Sequence, residues 1–315
     1  MTKKQLKAKA KKIFYKAVPL WMVVILILQS STAIGLLEYY VLKKYVNEQI
    51  IAMAKTKSPE ELAQVLKQEV LPQNGYVLGV TWGDMGKELL DSGVIDRQKY
   101  DELFAHDPGD SGMMKYMTHS SNDHMMVNVA NSRFMVNTFW ALGLVNKSKI
   151  LDVGQMKTNG QGDPMQYAST GGWNLGSKST SDLYSSQPLI QLTDKQEALV
   201  EKIASSIYRP CCDNPTSFPD CNHGMAALGY IELAVKQGVP EKRIYKDILA
   251  LNSYWFPQQY ISLATYFTQQ KTDWHDVDAK LALSQQYSSA QGAGQIQQQL
   301  QPVSGSTSQG GGCSA

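Results

Sequence analysis

The sequence predicts a mainly α protein: an N-terminal transmembrane helix followed by an extracytoplasmic helical region that carries a long irregular loop. Three observations lead there. A lysine-rich leader runs into an apolar stretch of membrane length, capped segments with helical apolar spacing recur along the chain, and glycine crowds into one stretch between them. Only one segment alternates as a strand does.

The leader, residues 1–16, holds seven lysines and no acid, so the net charge of +2 leaves the other 299 residues at −5. The anchor, residues 17–40, follows. Within it, residues 18–37 have Gln29, Ser30, Ser31 and Thr32 as their strongly polar members. Twenty residues at ~1.5 Å rise match the ~30 Å hydrocarbon core of a bilayer. Trp21 lies near one end of this run and Tyr39 and Tyr40 near the other, where interfacial aromatics belong. The lysine bias places the N-terminus in the cytoplasm and the bulk outside, as a single-pass protein of the cell membrane. Cleavage at Ser31-Thr32-Ala33 is the alternative, opposed by the apolar run through Ile34, Leu36 and Leu37. The chain has neither a global basic surface nor aromatic-basic interleaving, so nucleic acid is not an expected partner. The membrane is, together with an envelope protein or a metal or redox partner.

Residues 41–154 form the first helical region, opening with a stalk that continues the anchor to about Ala54. Ser58-Pro59-Glu60-Glu61 is a helix start, with a serine cap, proline in the first turn and glutamate three residues on. That helix is expected to reach Val70, before Pro72. Residues 76–82 alternate and predict a strand. Two short helices, 85–91 and 96–104, flank the Ser92-Gly93 break. The spacing of residues 113–126 is compatible with a helix, and 127–145 read as a buried one. The irregular loop, 155–191, belongs to a longer stretch rich in glycine, within which 169–174 read as a tight turn. The second helical region, 192–283, opens on the capping box Thr193-Asp194-Lys195-Gln196 and contains helices at 225–236, 240–253 and 258–268. His275 reads as an exposed residue at a helix start. Residues 284–315 are Gln, Ser and Gly with few apolar side chains and predict a disordered tail. Cys313 lies on that tail behind three glycines.

Chemistry concentrates in Tyr208-Arg209-Pro210-Cys211-Cys212 and Phe218-Pro219-Asp220-Cys221-Asn222-His223-Gly224-Met225. Three of the four cysteines, one of the five histidines and a methionine share one proline-punctuated loop. Thiolate, imidazole and thioether bind soft metals or exchange electrons. Cys221 and His223 also precede a helix whose free N–H groups favour a thiolate. Three readings stay open. One is a metal site for copper or zinc using Cys211, Cys212, Cys221 and His223, with Met225 as an accessory ligand. Another is a thiol–disulfide redox site with Cys221 as the attacking thiolate. The third is a non-enzymatic envelope interaction protein stapled by a disulfide, as an exported location favours. A second Met/His group, with Met117, His119 and His124 as candidate ligands, resembles the donor mix of exported Cu(I) proteins. If residues 113–126 are helical, Met113, Met117 and His124 share a face. The competing reading is an apolar methionine face with solvated histidines.

The Cys-Cys…Phe-Pro-Asp-Cys-Asn-His-Gly signature, with Ala130 to Phe134, Trp140 to Leu144 and Ser169 to Trp173, resembles an uncharacterised family of membrane-anchored bacterial proteins. No activity comes with that resemblance. The order of cysteine motif, helices and membrane anchor is more loosely similar to the thiol proteins of cytochrome c maturation, whose cysteine spacing differs.

Overall fold

Two helices with no polar face set the centre of the structure. The first, α4 (Ser132–Val145), has every side chain from Phe134 to Val145 buried. Its partner, α6 (Asn222–Lys236), is buried from Gly224 to Val235. A helix apolar all round has to be surrounded by protein, and these two pack on each other more extensively than any other pair. Small residues permit the close approach. A Cβ at Gly143 would stand 2.2 Å from the Met225 carbonyl oxygen, and one at Gly229 would stand 2.5 Å from that of Phe139.

The computed structural model describes residues 34–45, 48–49, 52, 57–105, 112–159 and 162–300. Most of the predicted anchor, and Cys313, lie outside the described residues. Residues 34–45 are helical, with Ile34, Leu36, Leu37, Val41 and Leu42 exposed. Among the described residues no helix is long and apolar enough to cross a membrane.

Met53–Ala315 forms one compact unit. Its elements begin with α1 (Pro59–Val70), where Ser58 and Glu61 complete the expected capping box. Strand β1 (Tyr76–Gly83) follows, then α2 (Met85–Ser92) and α3 (Arg97–Phe104). After α4 come α5 (Asp194–Ala204), opened by the Thr193 capping box, and then α6. The series closes with α7 (Glu241–Trp255), α8 (Pro257–Gln269) and α9 (Ala290–Leu300).

Two expectations are corrected. Residues 113–126 are not one helix. A single turn, Lys115–Thr118, gives way to strand β2 (Ser121–Val127), antiparallel to β1 with Tyr76 opposite Val127 and Thr81 opposite His124. A strand needs partners for its backbone groups, and β1 has to find one. Its other edge is closed by side chains: Asp247 accepts from the Gly79 N–H at 2.9 Å, and Gln237 from that of Thr81 at 2.9 Å. Helix α4 consequently begins only after Asn128 and Asn131 have exchanged side chain-to-backbone bonds of 2.8 and 3.0 Å.

The tail is not irregular from residue 284. Residues Gln285–Ser288 make a helical turn, and α9 packs on α8 with Ile296 and Leu300 buried. Tyr260 and Ser288 share a buried hydroxyl–hydroxyl bond of 2.8 Å. Composition predicted disorder there, and a few apolar side chains at helical spacing suffice once a surface exists to receive them.

The glycine-rich stretch is irregular as expected, a series of short turns such as Gln155–Thr158, Ala168–Gly171 and Thr180–Leu183. Two indoles fasten it. Trp140 donates to the Ser169 carbonyl at 2.7 Å and Trp173 to that of Val94 at 2.9 Å, with the rings meeting edge to face.

Candidate functional site

The cysteine loop joins α5 to α6 and is closed at its base. Thr216 donates to the Ile207 carbonyl through its backbone N–H at 2.8 Å and through its hydroxyl at 3.1 Å. Within this closure the Arg209 side chain turns inward, 1% exposed. Its Nε donates to Cys221 Sγ at 3.0 Å, and Nη1 to the Asn214 carbonyl at 2.9 Å. Its Nη2 reaches the Phe218 carbonyl at 3.2 Å and Asp220 Oδ1 at 2.6 Å. Asn214 Nδ2 in turn donates to Asp220 Oδ2 at 2.6 Å. A buried cation requires such partners, because desolvation without them costs several kcal/mol.

Around this guanidinium the three sulfurs converge. Cys211, Cys212 and Cys221 place their Sγ atoms within 4.8 Å of one another, and Cys211 Sγ is 3.4 Å from Cys221 Sγ. Cys221 is the N-cap of α6 and accepts from the Gly224 N–H at 3.4 Å. The absence of a side chain at 224 is required, since a Cβ there would lie 2.5 Å from the guanidinium of Arg209. The opposite wall comes from the segment at residues 290 and 291. The Cys212 carbonyl accepts from the Ala290 N–H at 2.9 Å, and Asp213 Oδ1 from the Gln291 N–H at 2.8 Å, at the start of α9.

These contacts divide the charge unequally. Hydrogen bonds from the Cys211 and Cys212 thiols hold Cys221 well below the usual thiol range. Burial opposes this, and the Arg209 charge reinforces it. Cys211 is driven up by its hydrogen bonds to Cys212 and Cys221 and by burial. For Cys212, a bond from Cys211 favours the thiolate, but its bond to Cys221 and burial prevail and push it up to about 12. The arrangement makes Cys221 the sulfur that gives up its proton most readily, with Cys211 and Cys212 as its hydrogen-bond donors.

The other expected ligands are dispersed. His223 sits beside Cys221, its ring 4.4 Å from that of Phe256, and its nitrogens fall outside the three-sulfur group. Its Nδ1 is shielded from solvent and has no hydrogen-bond partner. Burial lowers its pKa to about 4, against the raising influence of Cys221. Met225 is fully buried at the α4–α6 contact, and Met117 is equally buried in its single turn. His119 is exposed and bonds Thr118, while His124 is on β2 with Nδ1 3.1 Å from the Leu78 carbonyl. The shared helical face of Met113, Met117 and His124 therefore does not exist. Arg209 and Asp220 escaped the sequence reading, although Arg209 directly precedes Pro210 and the cysteine pair.

Compared with known proteins, the chain matches no family model, no curated protein and no solved structure.

Proposed function

We propose that this is a membrane-anchored extracytoplasmic protein that binds a soft metal ion, copper(I) or zinc, through Cys211, Cys212 and Cys221. The observation that carries this reading is the convergence of all three sulfurs on one point. Three thiolates on an ion at ~2.3 Å stand about 3.8–4.0 Å apart, close to the spacing of these sulfurs. A redox pair would need only two of them. Arg209 and the α6 N-terminus offset the negative charge that a tris-thiolate gathers. His223, neutral near pH 7, is the nearest imidazole in sequence available as a further donor. The anchor rests on the leader and apolar run, and the exposed apolar residues of the 34–45 helix support it.

A thiol–disulfide function is the second reading, favoured by the 3.4 Å separation of Cys211 and Cys221. The Cys221 thiolate would attack a partner's disulfide and release one partner thiolate. Cys211 would then displace the second, oxidising the Cys211–Cys221 pair as the partner is reduced.

Elemental analysis with a free-thiol count, on protein purified with and without reductant, separates these. The metal reading expects stoichiometric copper or zinc that survives dialysis and is lost in Cys221→Ser, with affinity rising with pH as Cys211 and Cys212 release protons. Metal-free protein with one reversible disulfide and a rapidly alkylated Cys221 would establish the redox reading instead. A permanent disulfide with no metal uptake after mild reduction would leave a stapled scaffold.

A further inference from the structure

A second donor group lies outside the cysteine loop, where the last turn of α1 meets the segment after α8. Glu69 comes from α1, and Asp273 and His275 bracket the start of a single 3-10 turn, Trp274–Asp276. Asp273 is 3% exposed and caps that turn, its Oδ1 accepting from the His275 N–H at 2.8 Å. The same Oδ1 is 3.3 Å from His275 Nδ1, and Glu69 Oε2 is 3.6 Å from that nitrogen. One ligating atom from each of the three residues lies within 4.8 Å of the others.

The 3.3 Å contact is a long hydrogen bond, and the 3.6 Å contact is an ion-pair distance without one. They do fit the edges of a tetrahedron around a metal. With metal–nitrogen and metal–oxygen distances of about 2.0–2.2 Å, neighbouring ligands stand about 3.3–3.5 Å apart. A second observation points the same way. Glu69 Oε2 is shielded from solvent and accepts no hydrogen bond, leaving the His275 Nδ1 at 3.6 Å as its ion-pair partner. Beside it opens a cavity of about 220 Å³, lined by Glu69 and His275 together with Tyr76, Lys246, Tyr254 and Trp274. A carboxylate oxygen placed there without a donor has a cation as its natural partner.

We propose that Glu69, Asp273 and His275 form a three-ligand site for a borderline divalent cation of the zinc type, with the fourth position opening on this cavity. Two carboxylates and one imidazole are hard-to-borderline donors, unlike the three sulfurs, so the two sites select different ions. A three-ligand site with an open position holds a water or a small anion on the metal, and Lys246 on the cavity wall suits an anion there.

Cobalt(II) titration of the full chain carrying Cys221→Ser, in detergent, tests this, because thiolate-bound cobalt absorbs in both the near ultraviolet and the visible, while an oxygen/nitrogen site gives weak visible bands only. The expected result is a visible-band signal without an ultraviolet band in Cys221→Ser, which disappears when His275→Ala or Glu69→Gln is added to that variant. His275 is exposed, so the alanine variant should keep the wild-type circular dichroism and the wild-type melting temperature in chelator. Should Glu69→Gln unfold, His275→Ala decides alone. Absence of visible bands from the Cys221→Ser protein, or their survival when His275→Ala is added, overturns the proposal. Loss of the ultraviolet band alone would bear on the cysteine site and leave this one standing.

Discussion

Arg209 is the residue on which the cysteine site turns, because one buried guanidinium holds Cys221, Asp220 and two loop carbonyls together. Replacing it with methionine leaves Asp220 without its cation and the carbonyls without donors. Such losses cost about 3–5 kcal/mol, measurable as a lower denaturant midpoint. The pH midpoint of Cys221 alkylation should rise in the same variant. Gly224→Ala should raise that midpoint too, through displacement of the guanidinium. Two buried titratable groups pull stability in opposite directions with pH. His223 has a folded pKa near 4, below the ~6.5 of an unfolded histidine, so the unfolded chain takes up the proton first. Stability from this group is complete above about pH 6.5 and declines as pH falls to about 4, by at most about 3 kcal/mol. Glu232 is fully buried on α6 and burial raises its pKa to about 8, although Asn146 Nδ2 donates to Oε2 at 2.8 Å. Its folded value lies above the unfolded one, so its contribution is complete below about pH 4.5 and is lost as pH rises to about 8, by up to about 5 kcal/mol. Glu232→Gln should therefore flatten the alkaline side of the stability profile and exceed wild type at pH 8. Urea midpoints from pH 4 to 9 read both effects, and an alkaline side unchanged by the substitution would contradict this account.

At the scale of elements, α9 is the informative case. It was expected to be part of a disordered tail, yet it buries Ile296 and Leu300 and gives its first N–H groups to Cys212 and Asp213. A chain ending at Ser284 should lose at least about 3 kcal/mol from these two side chains alone. It should also alkylate faster at Cys212, which mass spectrometry of the labelled peptide would detect. A truncated protein with wild-type stability and thiol reactivity would mean that α9 is not part of the site's wall. The helices announced by capping boxes, α1 and α5, were legible because their signals are local: a hydroxyl, an N–H three residues on and a returning side chain. Strand β2 was not. Its histidines and methionines carry no local instruction to extend, and its conformation follows from the unpaired edge of β1, over thirty residues earlier in the chain. The same long-range pairing removed the helical face on which Met113, Met117 and His124 would have met.

For the whole molecule, the membrane reading rests on charge and hydropathy. A reporter fused after Ala54 should be active outside the cytoplasm, and the full chain should remain in the membrane fraction after alkaline wash. Release as a soluble form beginning at Ile34 would mean that the segment is a cleaved leader. Sequence by itself determined the predominance of helix, the positions of the capped helices, the first strand and the identity of the cysteine loop. These depend on neighbours within a few residues or on the rarity of cysteine elsewhere in the chain. Tertiary structure alone decided that Arg209 turns inward to donate to Cys221, that His223 stands aside against Phe256, and that α9 closes the loop. It also brought Glu69 to Asp273 and His275 across about two hundred residues of sequence. Contacts between distant segments form when apolar faces are buried against one another, and the charged side chains carried on those faces meet as a consequence of that packing.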